Sequence, residues 1–79
     1  METVYLLVKC ERGREVEVVK EFEALNKLQT VCAVTGPYDY LLKLEGENMK
    51  DIGDTIIRRI RQIHGVNDTL TLVVLDTHL

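Results

Sequence analysis

Val34-Thr35-Gly36-Pro37-Tyr38-Asp39-Tyr40-Leu41-Leu42, residues 34–42, sets two apolar runs on either side of a glycine, a proline and an acidic residue. Glycine accepts backbone geometries that other residues resist, proline presets its own φ, and aspartate bonds its own turn amides. The stretch therefore predicts a tight hairpin between a strand over 30–35 and a strand over 38–44. It also gathers a carboxylate, a phenol, a hydroxyl and backbone amides, the groups needed to hold a small zwitterion.

Reading outward, residues 3–10 (Thr3-Val4-Tyr5-Leu6-Leu7-Val8-Lys9-Cys10) are β-branched, aromatic and apolar on both alternating faces. That pattern predicts a central strand buried on two sides. From Arg14 to Leu28 the period lengthens: Val16, Val19, Phe22, Leu25 and Leu28 form a stripe, widened by Val18 and Ala24. This predicts an amphipathic helix. Beyond the hairpin, Asn48 caps a second helix, with Asp51 near its positive end. Met49, Ile52, Ile56, Ile60 and Ile63 mark its buried side, and Gly65 is a natural left-handed stop. Val66 to Asp76 reads as the last strand. The order is βαββαβ in one domain spanning 1–79. Right-handed crossovers fold that order into an α+β, ferredoxin-like four-stranded antiparallel sheet, spatial order 4-1-3-2, with both helices on one face.

Two helices cover only one face, so the other should be polar if it meets water. It is apolar instead. Val4, Leu6 and Val8 point one way and Tyr5 and Leu7 the other, Leu41 opposes Leu42, and the last strand adds large apolar residues around Thr69 and Thr71. Covering even ~500 Å² of apolar area is worth roughly 12 kcal/mol gross, about the whole stability of a small domain. At 79 residues, only about 60–65% of the unfolded surface is buried on folding. Both points predict that two copies pair sheet to sheet as a homodimer.

Net charge is −3, which gives no general attraction to nucleic acid. No apolar run approaches the ~20 residues that span a bilayer, and the start Met1-Glu2-Thr3-Val4 has no basic, signal-like character, so a cytoplasmic protein is expected. No serine nucleophile exists in the chain. His64 abuts a helix C-terminus, where it is a favourable charge rather than a general base, and His78 lies in the terminal tail. Glu45 and Glu47 sit at a strand exit. Cys10 and Cys32 fall in apolar runs with no metal-ligand spacing to the histidines, and read as small hydrophobes. The glycines form no phosphate or dinucleotide loop, so no cofactor is expected. Arg58-Arg59-Ile60-Arg61 reads as a solvated face, with Asp54 pairing Arg58.

The chain resembles the effector-binding (RAM) module of the Lrp/AsnC regulators over essentially all its residues. The resemblance rests on Thr35-Gly36-x-Tyr38-Asp39 with the apolar residues after it, on Gly65-Val66, and on Thr69-x-Thr71 followed by Leu72-Val73-Val74-Leu75. It implies sheet-paired dimers assembled into an octamer or decamer, with an amino acid bound where dimers meet. It nominates Gly36, Tyr38, Asp39, Thr69 and Thr71 as ligand-binding residues. Pro37 departs from the pattern by removing a backbone donor, and His64 stands where a proline commonly precedes Gly-Val. The first strand begins almost at Met1, so the resemblance implies a stand-alone module without a helix-turn-helix domain. Such a module would not bind DNA directly, and would sense amino acids or co-assemble with a full-length regulator. Two rivals remain: a small dimeric ferredoxin-like-barrel enzyme with a polar internal pocket, and a structural partner with no ligand.

Overall fold

The computed structural model describes residues 1–75. In chain order it places β1 (Glu2–Cys10), α1 (Glu15–Glu23), β2 (Leu28–Ala33), β3 (Tyr40–Gly46), α2 (Met49–Thr55), a π-helical turn (Ile56–Ile60) and β4 (Val66–Val73). The strands form one antiparallel sheet in the order β2-β3-β1-β4, the expected topology read from the other edge. Asp76, expected to end the last strand, and His78 lie outside the described residues.

Period-2 alternation fixes what the sheet buries. Val4, Leu6 and Val8 of β1 and Leu42 and Leu44 of β3 are fully enclosed beneath the helices, while the intervening residues turn to the open face. The helices cover them with Val18, Phe22, Ile52, Ile56 and Ile60. Neither edge strand, β2 or β4, contributes a buried side chain among the described residues.

Several boundaries differ from the sequence expectation. Helix α1 stops at Glu23, and Leu25, Asn26 and Lys27 form a turn bonded Leu28 N to Leu25 O (3.3 Å). Leu25 stays buried in that turn, so the apolar period outlasts the helix that suggested it. The stripe is also rotated. Val18 and Phe22 are fully buried, whereas Val16 is 69% exposed. At about 100° per residue, Val16 lies roughly 200° around the helix from Val18, on the opposite side.

The β2–β3 connection is wider than a tight hairpin. Val34 N donates to Asp39 O (2.9 Å) and encloses four residues, because Pro37 offers no amide and Gly36 takes φ +100°. Both strands consequently sit two residues away from their expected limits at the loop.

Asn48 caps α2 as expected, its Oδ1 accepting from Asp51 N at 2.9 Å. Helix α2 then widens: Arg61 N donates to Ile56 O (2.9 Å), an i→i−5 bond. Ile52, Ile56 and Ile60 are spaced by four, which drifts the stripe about 40° per step in a regular helix. The π-helical turn rotates less per residue and returns Ile60 to the core side. The same change of phase breaks the expected Asp54–Arg58 pair, and Asp54 pairs with Lys50 (3.4 Å) in the regular part of the helix instead. Gly65 (φ +105°) ends the segment as expected.

Candidate functional site

Register decides where each candidate residue sits. Leu6 pairs with Thr71 and Val8 with Thr69, so both threonines lie on the helix side of the sheet. This corrects the expectation that they share the open face. Tyr5 pairs with Leu72 and Leu7 with Leu70, and those leucines take the open positions. The helix side of β4 is free to carry hydroxyls because it is the margin of the sheet, where no residue is fully buried.

The open face is therefore more apolar than the sequence suggested. Leu41, Leu7 and Leu70 form one row across β3, β1 and β4, and Tyr5 and Leu72 lie in the next. Leu70 and Leu72 are each 44% exposed. Cys32 pairs with Leu41 and extends the face onto β2.

At the loop end, Asp39 is tied into the sheet. Its amide donates to Val8 O (2.9 Å), and its Oδ2 accepts from Cys10 N (2.7 Å). The carboxylate thus serves a neighbouring strand rather than its own turn, and one of its oxygens is engaged. Gly36 is exposed, with nothing within 4 Å of where a Cβ would stand. Tyr38 is half-buried. Tyr40 turns inward and meets Phe22 edge to face, centroids 6.4 Å apart at 75°.

The five nominated residues fall into two clusters. Tyr40, Val8 and Thr69 occupy one row on β3, β1 and β4, so β1 separates the loop from the threonine strand by two strand spacings, about 10 Å. A single chain does not bring Gly36, Tyr38 and Asp39 against Thr69 and Thr71.

The threonines line a groove of about 300 Å³ between α2 and β4. Val4, Ile52 and Ile56 form its floor, with Met49 and Ile57 partly exposed on the helix side. Gly53 also faces this groove, again with nothing within 4 Å of its missing Cβ. A second, polar hollow of about 130 Å³ shares Arg61 and Thr69 with the first and adds Asn67 and Asp68. Asp68 Oδ1 accepts from Thr69 N at 2.9 Å. Arg61 forms no ion pair among the described residues. Sequence reasoning passed over Arg61 and Gly53, although a glycine inside an isoleucine stripe was a visible signal.

His64 is exposed and lines a separate cleft with Glu17, Glu21, Arg58 and Arg59 on the outer side of the helices. It lies outside the core between sheet and helices, where the barrel-enzyme reading required a polar residue. The two cysteines are free. Burial, then Asp39 and Glu15, push the Cys10 thiol up to about 11, so it stays protonated through neutral pH. Cys32 is exposed in the single chain. A disulfide reagent on dilute protein at pH 8 is expected to modify Cys32 at least about tenfold faster than Cys10. Equal rates would contradict the partly buried, uncharged state of Cys10.

Against this geometry, a family profile described as the Lrp/AsnC ligand binding domain matches residues 3–79. An uncharacterised HTH-type transcriptional regulator of Pyrococcus abyssi is 31% identical over 78 residues, covering 95% of this chain and 52% of its own length. The chain thus spans about half the length of that curated relative. Among solved structures, FFRP-DM1 superposes with TM-score 0.90 at 28% identity, covering 95% of this chain and all of its own. The complex of transcriptional regulator NMB0573 from Neisseria meningitidis with L-Met shares the fold, with TM-score 0.88 at 19% identity. It is covered over 52% of its length, and this chain over 99%.

Proposed function

This chain belongs to the Lrp/AsnC ligand-binding domain family, and from that premise we propose that it is a non-catalytic regulatory module that binds a free amino acid and works as an assembly of copies. The observation that carries the reading is the open sheet face, where Tyr5, Leu7, Leu41, Leu70 and Leu72 form a continuous apolar surface. Pairing that face with a second copy removes it from water. The methionine-bound Neisseria regulator of the same fold supports an amino-acid ligand. The P. abyssi relative supports a role in, or alongside, an HTH-type transcription regulator, and with that role a cytoplasmic location.

Gly36, Tyr38 and Asp39 form one half-site, and Thr69 and Thr71 form the other. Because β1 separates them within a chain, the hairpin of one copy meets the threonine strand of another in this reading. Ligand binding is then linked to association, and the assembly is a dimer or a ring of dimers.

A thermal-shift screen of the twenty amino acids tests this. An amino acid at 100 times its Kd is expected to stabilise the module by about 2.7 kcal/mol. Asp39→Asn keeps an oxygen to accept the Cys10 amide but removes the charge that faces an ammonium. It is expected to reduce the shift while leaving the ligand-free melting temperature within a few degrees. An unchanged shift would confine Asp39 to holding the sheet end, and no shift with any amino acid would leave a structural partner without a ligand.

A further inference from the structure

The cleft on the outer side of the helices shares no residue with either proposed half-site and holds charges that neither uses. We infer that it binds a phosphate monoester of a polyol, a sugar phosphate or a nucleoside monophosphate, with the phosphoryl group on one wall and hydroxyls on the other. Its volume of about 400 Å³ falls within the range of small-molecule sites. One wall is basic: Arg58 and Arg59 come from the π-helical turn, and His64 from the segment before β4. The other is acidic: Glu17 and Glu21 stand one turn apart on α1, where like charges repel. Half-buried Ile63 supplies an apolar part of the lining.

Charges of opposite sign share this cleft without closing on each other. Among the described residues no ion pair crosses it. Side chains on both walls are tied elsewhere. Glu17 Oε2 accepts from Arg14 Nη1 (2.9 Å), and Arg14 is held in turn by Glu11 (3.2 Å). On the basic wall, Gln62 Nε2 donates to Ile57 O (3.2 Å), fastening Gln62 back onto the π-helical turn. An occupant that meets both walls at once answers what each lacks. Two guanidinia and an imidazole offer more donors than one carboxylate can use, and guanidinium matches phosphate oxygens in parallel bonds. The glutamates only accept, so they suit hydroxyls, as an acidic side chain does for the ribose of a nucleotide. They repel a second anionic group, so the ligand is charged at one end only.

Calorimetric titration of the full chain at low ionic strength, where exposed charges are least screened, tests the inference. The probes are inorganic phosphate, ribose, ribose-5-phosphate and adenosine monophosphate. At least one of the two esters is expected to bind about tenfold or more tighter than inorganic phosphate, and ribose is expected not to bind. The ester that binds tighter tells a sugar phosphate from a nucleotide. Replacing both arginines, Arg58→Gln with Arg59→Gln, removes charge-assisted bonds and is expected to weaken the ester about 10- to 100-fold. Glu21→Gln is expected to shrink the advantage of the ester over inorganic phosphate while phosphate itself binds no more weakly, a split that general disturbance of the fold would not produce. All three side chains are exposed, and unchanged circular dichroism shows that the variants fold. No ester binding overturns the site, as does equal affinity for esters and inorganic phosphate. Full affinity in the arginine variant, or an undiminished ester advantage in Glu21→Gln, removes the wall it tests and overturns the two-walled site. Whether an amino acid binds at the half-sites bears on none of these outcomes.

Discussion

Leu7→Lys is expected to take the assembly apart into 9.1 kDa chains that keep their fold. Leu7 is central in the open face, paired with Leu41 on one side and Leu70 on the other. In a two-fold pair every substitution enters the contact twice. Each lysine must be stripped of water against leucines, at a cost of several kilocalories per mole for a fully covered charge. Even about 2 kcal/mol per copy gives about 4 kcal/mol in the pair, nearly a thousandfold in the dissociation constant. The neighbouring core residues Leu6 and Val8 point to the other side and are untouched. Light scattering over a concentration series reads the result. A wild-type chain that stays at 9.1 kDa at every concentration would contradict the covered face. So would a variant of wild-type mass.

Phe22→Ala is expected to cost about 3–5 kcal/mol, the range for emptying a fully buried aromatic position. Phe22 is wholly enclosed and also loses its edge-to-face contact with Tyr40. A domain of this size holds only about 5–15 kcal/mol in all, and each kilocalorie is worth about 4–8 °C of melting temperature. A fall of at least about 12 °C follows. Tyr40 adjoins Asp39, so the cavity also slackens the strand end that holds the hairpin. Val16→Ala, at a residue 69% exposed, is expected to change stability by no more than about 0.5 kcal/mol. Comparable losses at the two positions, read in thermal melts, would mean the buried side of α1 is the one drawn from the sequence rather than the one described here.

Topology was legible in the sequence because each change of hydrophobic period marks a change of element, and chain connectivity leaves few sheets for βαββαβ. The Asn48 cap and the Gly65 stop were legible because each has a local backbone cause. The buried side of α1 was not. Five apolar residues at spacing three satisfy a broad helical stripe, and only the sheet beneath decides that Val18, not Val16, is its centre. The loop was misjudged because Gly36 and Pro37 announce a turn without stating its width. Asp39 announces a carboxylate but not that Cys10, 29 residues earlier, would supply its donor.

The candidate site was half legible. Residue types for holding a zwitterion are visible in Gly36, Tyr38, Asp39, Thr69 and Thr71, but their division by β1 depends on strand order. The threonines' side of the sheet depends on register, which a one-residue slip would reverse. Arg61 looked like one member of a solvated basic run, since its place beside Thr69 follows from a π-helical turn that no residue spacing announces. The Ile52-Ile56-Ile60 spacing carried that information only in hindsight, through the drift a regular helix would have had to absorb.

Whether this module binds a free amino acid is tested most directly by titrating the wild-type chain calorimetrically with each of the twenty amino acids. The expected result is saturable heat with at least one amino acid, at one ligand per chain, and a rise in melting temperature with the same compound. No saturable heat and no rise in melting temperature with any of the twenty at millimolar concentration would contradict it.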